Sequence, residues 1–127
     1  MKIQNIIIIL FIVTSCGKPV NKGNFNDKAW RADALACKDE RKKLLEEFEK
    51  VKNNLKGISE KELQNLLGKP EATSLTDQSE KMYMYYLEPG AQCEQNSRYS
   101  SANKLMVRIS SLGWVTEFSY ENPVTLK

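Results

Sequence analysis

The chain has 127 residues, with 19 lysines and arginines against 16 aspartates and glutamates, and it contains no histidine. This length suits one small domain, and the mild net charge of +3, with both signs interspersed, is unlike that of a nucleic-acid-binding protein. The lack of histidine removes the commonest general base and the commonest metal ligand. We therefore expect no nucleic-acid partner, no bound metal and no cofactor.

The N-terminal segment has the organisation of an export signal. Lys2 precedes an apolar run over residues 6–13, which is shorter than the roughly 17–25 residues that span a bilayer. Val13-Thr14-Ser15-Cys16 follows and resembles the lipobox of bacterial lipoproteins. That resemblance implies cleavage before Cys16 and acylation of its thiol. The alternative is ordinary secretory cleavage, which would leave Cys16 as a spare thiol.

Export defines the domain organisation that we predict. Residues 1–15 form a lipoprotein signal peptide, residues 16–26 form a flexible tether rich in Gly, Asn and Lys, and residues 27–127 form a single domain. The positions after Cys16 lack the acidic run that resembles a surface-export signal. We therefore predict a lipid-anchored protein of the cell envelope, at the outer membrane and facing the periplasm, whose partners are the membrane and another envelope protein.

Apolar residues recur at helical spacing between Trp30 and Leu55, which predicts one long amphipathic helix capped by Asn26 or Asp27 and ended by Gly57. A coiled-coil dimer is the alternative to packing against the chain's own sheet. Arg41 interrupts the apolar stripe. Either its stem lies along the edge of the core, or its guanidinium binds a ligand or a carboxylate.

A second, shorter helix is predicted by local signals alone. Ser59 and Glu62 have the spacing of a capping box, in which each side chain bonds to the backbone of the other residue. Leu63, Leu66 and Leu67 give this helix an apolar side, and Gly68 begins the sequence that stops it.

The pattern changes after Pro70, where short segments rich in aromatic and β-branched residues predict strands over residues 71–75, 81–87, 105–110 and 114–120. The second of these is apolar on both faces, so it is either covered on both sides or borders a binding surface. In the last one we expect Trp114, Thr116, Phe118 and Tyr120 to share one face. The predicted fold class is α+β, with one long and one short helix packed on a three- to four-stranded antiparallel sheet as a two-layer sandwich.

The three cysteines are accounted for if Cys16 is acylated and the other two pair. Cys37 falls on the apolar stripe of the first helix, and Cys93 falls in the poorly patterned loop of residues 88–104. An oxidising compartment favours a disulfide between them. Two separate buried thiols are the alternative.

The stretch from Leu55-Lys56-Gly57-Ile58-Ser59 to Leu66-Leu67-Gly68-Lys69-Pro70, with the later Ser111-Leu112-Gly113-Trp114-Val115, resembles the SmpA/OmlA (BamE-like) lipoprotein domain. The resemblance covers about residues 55–121. It implies a capped helix leading directly into a sheet, an envelope location and a role in outer-membrane assembly or maintenance. The long first helix and the Cys37/Cys93 pair are departures from the pattern of that domain.

No nucleophile-elbow, phosphate-loop or paired-cysteine metal motif occurs, so we do not expect an enzyme. We predict a non-catalytic protein-binding or scaffold module. The alternative is an anchored inhibitor or ligand-sensing domain that presents an aromatic sheet face. The candidate partner-binding residues, which would otherwise form the core under the first helix, are Tyr83, Tyr85, Tyr86, Trp114, Phe118, Tyr120 and Arg41.

Overall fold

The structure is a computed structural model that describes residues 19–95 and 100–121. Within these ranges it contains four α-helices and four β-strands. The helices are α1 (Asp27–Ala32), α2 (Glu40–Val51), α3 (Glu60–Leu67) and α4 (Ala91–Gln95), and the strands are β1 (Ala72–Leu75), β2 (Lys81–Tyr86), β3 (Lys104–Ile109) and β4 (Val115–Glu121). Two short 3₁₀ turns, Ala34–Ala36 and Lys52–Leu55, precede and follow α2.

The strands form one antiparallel sheet in the order β1-β2-β3-β4, in which each strand pairs with the next one along the chain. The helices α1, α2 and α3 pack on one face of this sheet. The predicted α+β class is confirmed, and all four predicted strands are present. The helix α4 was not predicted, because its five residues are too few to show a helical repeat.

The core lies between the helices and the sheet and is built around aromatic rings. The ring of Trp30 in α1 stacks on that of Phe48 in α2, with centroids 5.8 Å apart, and meets the ring of Tyr85 in β2 edge-on at 6.4 Å. Phe25 completes the group and is only 2% exposed. The prediction that residues 16–26 form a tether is therefore wrong at Phe25, which is a core residue.

The long helix predicted from Trp30 is two helices, α1 and α2, separated by a connector that we define as residues 33–39. Leu35, Ala36 and Asp39 all have positive φ angles in this connector, near 60°, which no α-helix accommodates. The buried Asp33 carboxylate accepts hydrogen bonds from backbone N–H groups at the start of α2, including that of Glu40 at 2.9 Å. The apolar repeat continues across the break because α1 and α2 both face the core.

The predicted face of β4 holds for Phe118 and Tyr120 but is wrong for Trp114 and Thr116, because the strand contains a β-bulge before Glu117. Arg108 pairs with Glu117, but Ile109 pairs with Val115, so Thr116 is an extra residue on the β4 side. The bulge turns Val115 as well as Phe118 toward the core, three positions apart instead of two.

The capping box predicted for α3 is confirmed. The Ser59 hydroxyl accepts from the amide of Glu62 at 3.1 Å, and the Glu62 carboxylate accepts from the amide of Ser59 at 2.7 Å. Gly68 ends the helix at a φ of 81°, a conformation that glycine adopts without strain. This helix leads directly into β1, as expected from the sequence.

Candidate functional site

The two faces of the sheet differ in how much of each is covered by other parts of the protein. One face carries the core side chains of β2 and β3, beginning with Tyr83 and Val107, and lies under the helices. The other face carries the side chains of Met82, Met84 and Met106. We call it the open face.

The register of the strands places these methionines side by side. Met84 and Met106 are direct cross-strand partners, flanked by the small residues Ala72 on β1 and Ser119 on β4. The next row of the open face runs from Ser74 through Met82 and Arg108 to Glu117. A methionine pair bordered by small side chains leaves a depression in the middle of the sheet.

This depression is a groove with a volume of about 490 Å³. We define the methionine groove by its lining residues, which are Ala72, Thr73, Ser74, Met82, Met84, Ser100, Lys104, Met106 and Glu121. Methionine side chains are flexible and polarisable, so such a floor adapts to apolar groups of different shapes. Lys104 and Glu121 place one charge of each sign at the rim.

The end of the open face near Tyr86 is closed by two loops. Leu35 and Ala36 of the connector and Ala102 pack with Tyr86 and Met84 in a second, smaller apolar cluster. The C-terminal half of β2 is therefore covered on both sides, while Met82 borders the groove. The interpretation that this strand is covered on both sides therefore applies to its C-terminal half.

Lys104 holds one of these closing loops in place. Its ammonium donates hydrogen bonds to the carbonyl oxygens of Ser100 at 2.6 Å and Ala102 at 2.9 Å, and it lies 5.5 Å from the centre of the Tyr86 ring. Lys104 therefore forms a wall of the groove, and its ammonium is already hydrogen-bonded to the backbone of the closing loop.

The structure divides the aromatic residues that the sequence suggested for partner binding. Tyr83, Tyr85, Tyr86 and Phe118 are at most 9% exposed, so they belong to the core and not to an exposed surface. The Tyr83 hydroxyl donates to Glu60 and receives a hydrogen bond from Gln64, and the Tyr85 hydroxyl donates to the carbonyl of Gly68 at 2.8 Å. The reason for their burial is that they face the helices or the closing loops.

Two aromatic residues of that set remain accessible. Trp114 is 50% exposed in the β3–β4 hairpin, and Tyr120 is 36% exposed on the edge strand β4. The Tyr120 hydroxyl donates to the carboxylate of Glu49 on α2, and the Lys52 ammonium lies 5.2 Å from its ring centre. Burial and the hydrogen bond to Glu49 raise the pKa of Tyr120.

Arg41 binds a carboxylate of its own chain. Its guanidinium pairs with Glu71, donates to the backbone carbonyls of Trp30 at 3.2 Å and Tyr86 at 3.1 Å, and lies 4.9 Å from the centre of the Trp30 ring. Burial raises the pKa of the Glu71 carboxyl, and the charge of Arg41 opposes that rise. Arg41 is only 2% exposed, so this group connects α2, β1 and β2 and does not face solvent.

A disulfide joins Cys37 to Cys93, with Cα atoms 5.6 Å apart. The locations of both residues differ from the prediction, because Cys37 lies in the connector after the first 3₁₀ turn and Cys93 lies within α4. The adjacent Gln92 is fully buried, and its amide donates to the carbonyls of Leu35 and Glu88. The disulfide thus binds α4 to the connector that closes one end of the open face.

Other predicted features fall outside the site or outside the described residues. Cys16 and the predicted signal peptide precede residue 19, the first that the structure describes. Among the residues described, no three metal-ligating side chains come together, and no helix is both long and apolar enough to cross a membrane.

The methionines were not recognised from the sequence. The signal that could have found them was the two-residue spacing of Met82 and Met84, which puts both on one face of a strand. Comparisons with known families, with curated proteins and with solved structures found no match to this chain.

Proposed function

We propose that this protein is a membrane-anchored lipoprotein of the cell envelope that binds another envelope protein through its open face, without catalysis. The observation that carries the proposal is the asymmetry of the sheet, which is covered by helices on one face and exposes a methionine groove on the other. The predicted acylation of Cys16 would hold the domain at the membrane. A scaffold role in outer-membrane assembly or maintenance is the version suggested by the resemblance to the SmpA/OmlA (BamE-like) domain.

The chemistry of the open face indicates what kind of partner it fits. Methionines form the floor, while Lys104, Arg108, Glu117 and Glu121 lie around it with charges of both signs. An apolar centre with a mixed polar rim is the usual anatomy of a protein–protein interface. We therefore propose that the partner contributes a segment with apolar side chains at its centre and polar groups at its margins.

A second candidate function is supported by the size of the groove. A volume of about 490 Å³ falls within the range of roughly 300–1,000 Å³ that is typical of small-molecule sites. An anchored ligand-sensing or inhibitory domain would use the same methionines to contact an apolar ligand or a segment of an enzyme.

Site-specific photo-crosslinking in intact cells tests the first proposal. A photoreactive amino acid replaces Met106 in the groove, and in a control variant it replaces Glu46, whose side chain is 84% exposed on α2. We expect a discrete crosslinked protein band from position 106 and none from position 46. Equal crosslinking at the two positions, or none at either, would contradict the use of the open face.

The anchor is tested separately by intact-mass measurement of the protein purified from membranes. We expect the mass of residues 16–127 plus the acyl groups on Cys16, and we expect the Cys16→Ser variant to fail to mature. A mass that matches unmodified residues 16–127 would remove the lipoprotein assignment while leaving the binding proposal to the crosslinking result.

A further inference from the structure

The two edges of the sheet are built differently. The edge strand β4 contains the bulge at Thr116 and carries the charged residues Glu117 and Glu121. Bulges and charges are the usual devices by which proteins prevent a sheet edge from pairing with another chain. The opposite edge strand, β1, has neither, since Ala72–Leu75 contains no charge and no proline and pairs with β2 in unbroken register.

Among the residues that the structure describes, the backbone groups of β1 without a partner belong to two residues. The amide of Thr76 bonds to the carbonyl of Glu80 at 2.8 Å, and hydrogen-bonded positions alternate along an antiparallel ladder. The backbone groups of Ser74 therefore point at β2, and those of Thr73 and Leu75 point away from the sheet. The Leu75 side chain is also 73% exposed.

From this edge we propose that β1 pairs with β1 of a second copy of the chain, antiparallel and about a two-fold axis. In the register that uses every outward backbone group, Ser74 lies opposite Ser74 of the second copy and Thr73 lies opposite its Leu75. Four hydrogen bonds form, and the two sheets join into one of eight strands. This pairing goes beyond the proposed function, which concerns the groove, whereas the pairing uses the outward backbone groups of β1, a strand that also lines the groove.

The distribution of charge favours a second copy of the chain as the partner of the β1 edge. A strand that pairs with its own copy across a two-fold axis brings like residues close together, so a charge near the axis would repel its own image, and β1 carries none. Lys69 before the strand and Asp77 after it are exposed, and neither has an ion-pair partner among the described residues. An antiparallel second copy brings the Lys69 end of one strand to the Asp77 end of the other.

Cysteine substitution in the full chain tests the register. Opposed residues at a non-hydrogen-bonded position have Cα atoms about 4.5 Å apart, which suits a disulfide. Two copies of residue 73 would be about 8 Å apart from strand geometry, beyond the span of a disulfide. Under mild oxidation we expect Ser74→Cys to give a covalent dimer that reductant separates. We expect Thr73→Cys to give no more dimer than the wild-type chain. The wild-type chain is the control for any dimer that forms through Cys16.

A matched pair of exposed leucines tests the dimer without new cysteines. Leu75→Lys adds a charge to β1, whereas Leu112→Lys adds the same charge at the tip of the β3–β4 hairpin, where the leucine is 83% exposed. In sedimentation velocity over a range of concentrations, we expect Leu75→Lys to stay monomeric, and we expect wild type and Leu112→Lys to dimerise alike. A monomeric wild type, equal crosslinking at positions 73 and 74, or equal dimerisation of the two lysine variants would overturn the proposal.

Discussion

Arg41 and Glu71 form a buried ion pair between residues that are 30 positions apart in the chain, and their side chains are only 3% and 6% exposed. The pair connects the start of α2 to the residue that precedes β1. Arg41 also bonds to the last residue of β2, so one guanidinium joins the helical layer to two neighbouring strands. Attraction between such buried charges roughly offsets the cost of their desolvation, but losing one partner leaves the other charge without compensation.

The first prediction follows from that imbalance. Arg41→Met should lower the free energy of unfolding at neutral pH by about 3–5 kcal/mol, measured by urea denaturation, because Glu71 remains buried without its partner. The control is Lys43→Met, which removes an exposed partner of Glu40 and should cost about 0–1 kcal/mol. Protonation of Glu71 removes the unpaired charge, so the loss should shrink as the pH falls. An Arg41→Met variant no less stable than Lys43→Met would contradict the structural role of the pair.

The second prediction concerns the disulfide, which closes a segment of 56 positions. On the chain-entropy model the link contributes about 4 kcal/mol. Replacing both Cys37 and Cys93 by Ala should therefore lower the melting temperature by well over ten degrees, given roughly 4–8 °C per kcal/mol in a domain of this size. Thermal unfolding followed by circular dichroism provides the measurement.

Alkylation of the denatured, unreduced protein tests whether the Cys37–Cys93 disulfide is present. Neither Cys37 nor Cys93 should react without reductant, and both should react after reduction. Labelling of both thiols in the unreduced sample would show that the link is absent, and the melting comparison would then test only the loss of two thiols.

The third prediction is a component of acid unfolding that belongs to Asp27. Burial would raise the pKa of this carboxyl, but hydrogen bonds from Lys22 and Arg31 outweigh burial and hold it at about 2, below the usual 3.8. The unfolded chain therefore binds this proton first as the pH falls, so the stabilisation is present above about pH 4 and is lost toward pH 2.

Asp27→Asn should remove that component. Urea midpoints measured between pH 5 and pH 2 should decline less steeply in the variant than in wild type, because the amide does not titrate. The control is Glu94→Gln, which removes an exposed carboxylate with no ion-pair partner among the described residues. Identical slopes for wild type and Asp27→Asn would show that Lys22 and Arg31 do not hold the carboxylate in solution.

The fourth prediction tests the α3 cap. Ser59→Ala removes the acceptor for the Glu62 amide and should reduce the free energy of unfolding by about 1 kcal/mol, measured by urea denaturation. Ser111→Ala, at an exposed position in the β3–β4 hairpin, provides the control and should change stability by less than about 0.5 kcal/mol. Equal effects of the two substitutions would mean that the cap does not stabilise the fold.

Features that depend on neighbours along the chain could be predicted from the sequence. The capping box of α3 joins residues three positions apart, so Ser59 and Glu62 identify it without knowledge of the fold. The alternation in β3 likewise reports directly which side chains are buried, because successive residues of a strand point to opposite faces. The Cys37–Cys93 pairing followed from the cysteine count and not from geometry.

Only the tertiary structure decided where the first helix breaks and which face of the sheet stays open. The conformation of Leu35 is stabilised by Glu71, 36 positions away, and by Gln92, 57 positions away, and no local pattern encodes such bonds. The bulge in β4 depends on its pairing with β3, and it reverses the expected alternation only for the residues that precede Glu117. The tyrosines of β2 could equally have formed a core or an interface until the layer that covers each face was known, because burial is a property of two packed elements and not of one strand.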